Sequence, residues 1–139
     1  MLLAACNGAP WVADQIESIL AQEGVDVRII VRDDGSVDET RAKIAPFLRH
    51  SPVRLTWGDK PTGSAAQNYF NLMRDNPADD VDFVALSVLD DSGNRDTLIR
   101  ACDRLRREKG AGYSSATLAV WPSGKSAVLT QSSRATGSD

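Results

Sequence analysis

Histidine occurs once in this chain of 139 residues, at His50, and cysteine twice, at Cys6 and Cys102. One histidine and two distant cysteines without a C-x-x-C spacing make no zinc site, and they fit the reduced thiols of a cytoplasmic protein rather than a disulfide framework. An excess of basic residues is also missing. The net charge is -3 and the arginines are scattered or sit on one expected helix, so no field exists for a phosphate polymer and no nucleic-acid partner is expected. No apolar run approaches the roughly 18 residues that cross a bilayer, so no transmembrane segment is expected. Leu3-Ala4-Ala5-Cys6 has the letters of a lipoprotein cleavage box, but no basic leader and no apolar stretch of about 7–15 residues stands before it. Cys6 is therefore not expected to carry a lipid. Met1 to Ala5 reads instead as the end of a strand whose beginning is short or missing.

What is present suffices for one globular domain: 42% of the residues are apolar, enough for a single core. The organising stretch is Val27 to Ser36. Val27, Ile29, Ile30 and Val31 are β-branched and form a short apolar run, as in a strand buried in a mostly parallel sheet. The run ends in Asp33 and Asp34, after which Gly35 can supply a left-handed turn. Ser36-Val37-Asp38-Glu39 then has the S-x-x-E form of a capping box that opens a helix. In an open α/β sheet, ligands bind outside the carboxyl ends of the strands, which is where both carboxylates are delivered. Acids in such a place also serve as plain helix caps and dipole partners.

Before this stretch, Asn7-Gly8-Ala9-Pro10 is expected to be a turn, with Pro10 at the first position of a helix whose inward stripe is Val12, Ile16, Ile19 and Leu20 and which Gly24 ends. After it, a helix is expected from about Val37 to Arg49 with Ile44, Phe47 and Leu48 inward. Val53 to Trp57 alternates as a third, less buried strand. A turn-rich loop, Gly58 to Ser64, leads into a helix with Ala66, Phe70 and Met73 on one face. The free N–H groups at its start and nearby Lys60 suit an anion, although no P-loop spacing is present and an ordinary cap explains the same residues.

Val81 to Leu89 reads as a second strongly apolar strand, and it too ends in a pair of carboxylates, Asp90 and Asp91. If the two strands are parallel, four acids share one rim, and a hard cation such as Mg²⁺ or Mn²⁺ bridging phosphate oxygens would relieve their repulsion. A helix from about Arg95 to Lys109 follows, with Leu98, Ala101, Cys102 and Leu105 inward and a basic outer side of the kind that is ordinarily just solvated. Tyr113 to Trp121 and Ser126 to Thr130 read as strands joined by a turn. Residues 131–139 read as a flexible tail.

In order along the chain, Asn7-Gly8-Ala9, Gln15 to Gln22, Val31 to Thr40, Gly63 with Asn68-Tyr69-Phe70, and Phe83 to Ser87 with Asp90-Asp91 resemble the amino-terminal half of family 2 glycosyltransferases, in particular the rhamnosyltransferase-like branch. The resemblance implies a GT-A-like, Rossmann-like, three-layer α/β/α fold with a mostly parallel sheet, over residues 1–130 and truncated at the acceptor half. It implies binding of a nucleotide-diphosphate sugar and inverting transfer to an acceptor hydroxyl in polysaccharide synthesis. Asp33 would accept a hydrogen bond from the donor's base, Asp34 and Ala5 would line that pocket with Gly63 at its helix start, and Asp90, helped by Asp91, would hold Mg²⁺ or Mn²⁺. Val88 stands where the family's D-x-D has its first carboxylate. The catalytic base normally belongs to the acceptor half, so no catalytic residue is expected within the chain. An apolar face left by that half would favour a homo-oligomer. Two rivals stay open: a noncatalytic nucleotide-sugar-binding module or degenerate homologue, and a receiver-like signalling domain, against which Ala4-Ala5-Cys6 stands where that class has its first acids.

Overall fold

Side-chain branching and inward alternation produce a four-stranded sheet in the computed structural model, which describes residues 1–49, 52–58, 60–87, 89, 94–108, 117–120 and 126–129. Strand β1 (Leu2–Ala5) is followed by helix α1 (Val12–Leu20), β2 (Ile29–Asp33), α2 (Thr40–Ile44), a 3-10 turn (Ala45–Arg49), β3 (Val53–Trp57), α3 (Ala65–Asp75) and β4 (Leu86–Ser87). The sheet has the order β3-β2-β1-β4 and every neighbouring pair is parallel. All its carboxyl ends therefore share one rim. The chain divides into two units, Met1–Leu98 and Ile99–Asp139. Helix α4 (Thr97–Glu108) begins in the first, and the second contains an antiparallel hairpin, β5 (Thr117–Val120) with β6 (Ser126–Leu129).

Alternation along the strands sorts their side chains between two layers. Leu3 and Ala5 of β1 and Ile29 and Val31 of β2 join Val12, Ile16 and Ile19 of α1 and Ile44 of α2 in one buried core. Burying each large aliphatic side chain there contributes about 1.5–3 kcal/mol. On the opposite face α3 lies against the sheet through Leu72 and Asn68, with Asn68 Nδ2 donating to the Arg32 carbonyl at 3.2 Å.

Several local expectations change. Strand β2 starts at Ile29, and Pro10 falls in the turn before α1, not at its first position. The capping box at Ser36 does not form: Ser36 Oγ donates to Asp33 Oδ1 and accepts from the Asn7 amide, and α2 begins only at Thr40. Pro46 has no N–H to give, so the helix ends at Ile44 and tightens into the 3-10 turn, leaving Leu48 exposed. On α3 the inward residues are Asn68 and Leu72, while Phe70 and Met73 are 61% and 41% exposed and Ala66 faces out as well. Among the described residues strand β4 covers Leu86–Ser87 of the expected Val81 to Leu89, because Leu86 is in register with Leu2, the first residue of β1, so nothing on β1 stands opposite the residues before it. On α4, Leu98, Ala101, Cys102 and Leu105 are half-buried, not fully inward. His50, Val88, Asp90, Asp91 and the tail over 131–139 lie outside the described residues.

Candidate functional site

The two loops that leave β1 and β2 are laced together by their own polar side chains. Asn7, at φ 48°, donates its amide to Ser36 Oγ at 2.9 Å, and its Oδ1 accepts from the Val37 amide at 3.0 Å. The Gly8 amide donates to Thr40 Oγ1 at 2.8 Å and the Ala9 amide to Asp38 Oδ2 at 3.1 Å. Asp38 Oδ1 also accepts from the Thr40 amide at 3.0 Å and from its hydroxyl. These bonds, the Thr40 hydroxyl first, hold the Asp38 carboxyl below its ordinary value. A motif read for its acids is thus largely a clip that fixes where the strand ends sit.

The carboxylate pair splits between the two faces of the sheet. Asp33 continues the Ile29, Val31 alternation and so enters the layer of α2, where its side chain is fully buried. One oxygen accepts from the Ser36 amide and hydroxyl, and the other from Arg41 Nε. Arg41 in turn lies over the Trp57 ring, 5.8 Å from its centroid. Asp34, one residue on, turns toward the start of α3. Its Oδ1 accepts from the Thr62 amide at 2.7 Å, and its Oδ2 from the Thr62 hydroxyl at 2.8 Å and the Gly63 amide at 3.2 Å. The Asp34 amide is itself bound to the Ala5 carbonyl at 2.8 Å. Gly35 is needed beside it: its φ is 79°, and a Cβ there would stand 2.5 Å from Pro61 Cγ.

Between these walls lies an open cleft of about 460 Å³, outside the carboxyl ends of β1 and β2. Ala4, Ala5 and Cys6 form one side, Asp34, Gly35 and Pro61 another, and Gly63, Ser64, Ala65 and Asn68 the α3 side, with Leu89 completing it. Of the residues expected to bind a nucleotide, the cleft therefore gathers Ala5, Asp34 and Gly63; Asp33 is not among its lining residues. Lys60 is exposed and is not part of the lining either, and the α3 start is capped by Ser64 Oγ, which accepts from the Gln67 amide at 3.5 Å. The Cys6 thiol is pushed up by burial and by the charges of Asp34, Asp33 and Asp38.

Helix α1 and the turn that follows it bond the chain before Asp90 and after Asp91. Gln15 Nε2 donates to Ser87 Oγ at 2.6 Å, and Gln22 Nε2 donates to the Asn94 carbonyl at 2.7 Å while its Oε1 accepts from the Leu98 amide at 3.0 Å. Among the described residues no group of three His, Cys, Asp or Glu side chains can hold a metal ion, and both Asp33 and Asp34 are occupied by protein donors. The described residues alone thus do not fit a cation. Thr62 and Arg41 were not singled out from the sequence, and Asn68 stood out only as part of the segment with Gly63; each meets its partner across a loop or a layer, so no local spacing announces its role.

A parallel α/β sheet with a cleft beyond its carboxyl ends, bordered by the helix after the third strand, defines a Rossmann-like class of fold, in which ligands bind at that edge of the sheet. The chain belongs to glycosyl transferase family 2, whose family model matches residues 2–73. It is 30% identical over 125 residues to dTDP-rhamnosyl transferase RfbG of Shigella flexneri, covering 88% of this chain and 43% of that protein. With the succinoglycan biosynthesis protein ExoO of Rhizobium meliloti (strain 1021) it shares 50% identity over 62 residues, 45% of this chain and 18% of that one. The chain thus spans less than half the length of the relatives it matches. In structure it resembles S. aureus TarS 1-349 in complex with UDP, at a TM-score of 0.67 and 16% identity over 78% of this chain and 32% of that one. The mannosyltransferase PcManGT from Pyrobaculum calidifontis, in complex with GDP-Man and Mn²⁺, gives a TM-score of 0.61 and 19% identity over 75% and 31%. At these identities the likeness establishes the fold: GT-A, over part of its length.

Proposed function

We propose that this chain supplies the donor side of a cytoplasmic glycosyltransferase site, binding a nucleotide-diphosphate sugar for inverting transfer to an acceptor hydroxyl in polysaccharide synthesis. The observation that carries this reading is the cleft itself, whose α3 wall Asp34 fastens to the end of β1. Support comes from relatives named for dTDP-rhamnosyl transfer and succinoglycan biosynthesis and from the nucleotide ligands of TarS and PcManGT. The free thiols of Cys6 and Cys102 support the compartment. In this reading Ala5, Asp34 and Gly63 border the base and ribose, and a contact between Asp33 and the base requires Ser36 or Arg41 to share a carboxylate oxygen. Asp90 and Asp91 are the residues to hold Mg²⁺ or Mn²⁺, which offsets charge on the departing diphosphate when bound. The base that takes the acceptor's proton comes from outside this chain. Exposed Phe70 and Leu86 support self-association.

A second reading, a noncatalytic nucleotide-sugar-binding module, is favoured by one observation. Among the described residues the single carboxylate lining the cleft is Asp34, and it accepts three hydrogen bonds from the protein. Calorimetric titration with UDP, dTDP and GDP, with and without Mn²⁺, beside a donor-hydrolysis assay separates the two. Binding with turnover is expected of the first reading and binding without turnover of the second, and a chain that binds none of the three contradicts both.

A further inference from the structure

The wall of the cleft carries a thiol. Cys6 directly follows β1, is exposed, and lines the cleft beside Asp34, whose carbonyl lies 3.8 Å from its Sγ. Independent of it, Asn68 marks the same cleft as a place for a polar ligand. Asn68 lines the cleft yet is 2% exposed; its Nδ2 donates to the Arg32 carbonyl, and its Oδ1 is buried without a partner among the described residues. Leaving a buried acceptor without a donor is unfavourable, and a ligand that donates to it relieves that cost.

We propose that Cys6 is a covalent modification site within the cleft, where a mixed disulfide with a small thiol and a bound nucleotide exclude one another. The proposal rests on the nucleotide reading of this cleft. A cavity of about 300–1,000 Å³ accommodates one small ligand, so a tripeptide adduct on the wall leaves no room in 460 Å³ for a nucleotide. The chemistry is thiol–disulfide exchange. The Cys6 thiolate attacks one sulfur of a low-molecular-weight disulfide, the reagent's S–S bond breaks as the mixed disulfide forms, and the other sulfur leaves as a thiolate that takes up the proton Cys6 lost. Cys6 is oxidised and the reagent reduced, two electrons passing between them. Burial and the surrounding carboxylates favour the protonated thiol, so exchange accelerates as pH rises.

The test incubates the full chain with glutathione disulfide at about pH 8.5, alone and with whichever of UDP, dTDP or GDP binds it most tightly. Peptide mass mapping reads Cys6 and Cys102 separately. At ten times its dissociation constant the nucleotide is expected to slow modification of Cys6 about elevenfold and leave Cys102 unchanged. The chain glutathionylated at Cys6 is expected to bind that nucleotide at least about tenfold more weakly, with recovery on reduction. Equal rates at Cys6 with the nucleotide bound overturn the proposal and leave the nucleotide reading standing, as does a Cys6 that reacts only in denatured chain. Absence of binding by all three nucleotides overturns that reading and the proposal with it.

Discussion

Asp33 and Asp34 are adjacent and chemically identical, and the sheet gives them opposite tasks. Period-two alternation sends Asp33 into the α2 layer with Arg41 and turns Asp34 to the loop before α3. Replacing Asp34 with alanine strands the Thr62 and Gly63 donors. With charge-assisted bonds each contributing about 1.5–3 kcal/mol and some water reaching the loop, Asp34→Ala is expected to cost about 2–3 kcal/mol in urea unfolding and to weaken nucleotide binding. A variant as stable as the parent would show that the loop is held by something else. At the same scale, Asp38 makes stability depend on pH. Its folded value lies below 3.8, so its charged form supports the fold at pH above 3.8, and that support is lost as pH falls through the lower folded value. Asp38→Asn is thus expected to melt at lower temperature than the parent at neutral pH, with the two curves converging in acid. A gap that stays constant down to about pH 2 would contradict the sign.

At the scale of elements, helix α3 keeps Ala66, Phe70 and Met73 on one face, as read from sequence, but that face is not the packed one. That stripe lies outward, while the inward face is shared by Leu72 and a buried asparagine whose amide bonds the backbone of β2. Hydrophobicity alone points to the wrong face when the inward contact is polar. Leu72→Ala is expected to cost about 2–4 kcal/mol, whereas Phe70→Ala stays within about 0.5 kcal/mol. Equilibrium denaturation of the two variants decides it, and the reverse order would restore the apolar stripe as the packed face. The strands were legible for a physical reason. Ile29, Val31 and Val53 are β-branched residues in short runs ended by polar ones, and a parallel interior needs such runs. Strand β4 was overread because Leu86 is in register with the first residue of β1, so the run from Val81 to Ala85 has no residue of β1 opposite it. Helix α2 was overread because Ser36 had a better partner in Asp33 and Asn7 than in its own helix.

For the whole molecule, parallel pairing is what makes distant segments of chain converge. It gathers the ends of β1 and β2 and the start of α3 around one cleft, while Gln15 of α1 and Gln22 just after it tie down the chain before and after Asp90 and Asp91. The family and the parallel α/β fold were legible from the segments Asn7 to Ala9 and Val31 to Thr40, whose residues turn out to bond one another. The cleft's wall was legible only in part. Ala5, Asp34 and Gly63 stood out and Asn68 appeared within a family segment, but the bond of Asn68 across a layer and the grip of Thr62 on Asp34 across a loop are encoded by no local pattern. The central claim is that this cleft receives the nucleotide. Amide chemical shifts of the ¹⁵N-labelled chain, followed during titration with UDP, dTDP and GDP in turn, test it most directly. The account predicts that at least one nucleotide perturbs Ala5, Cys6, Gly35, Gly63 and Ser64 first and most strongly, with β3 and the 3-10 turn nearly still. Saturable shifts confined to residues away from those five, or none with any of the three, would contradict it.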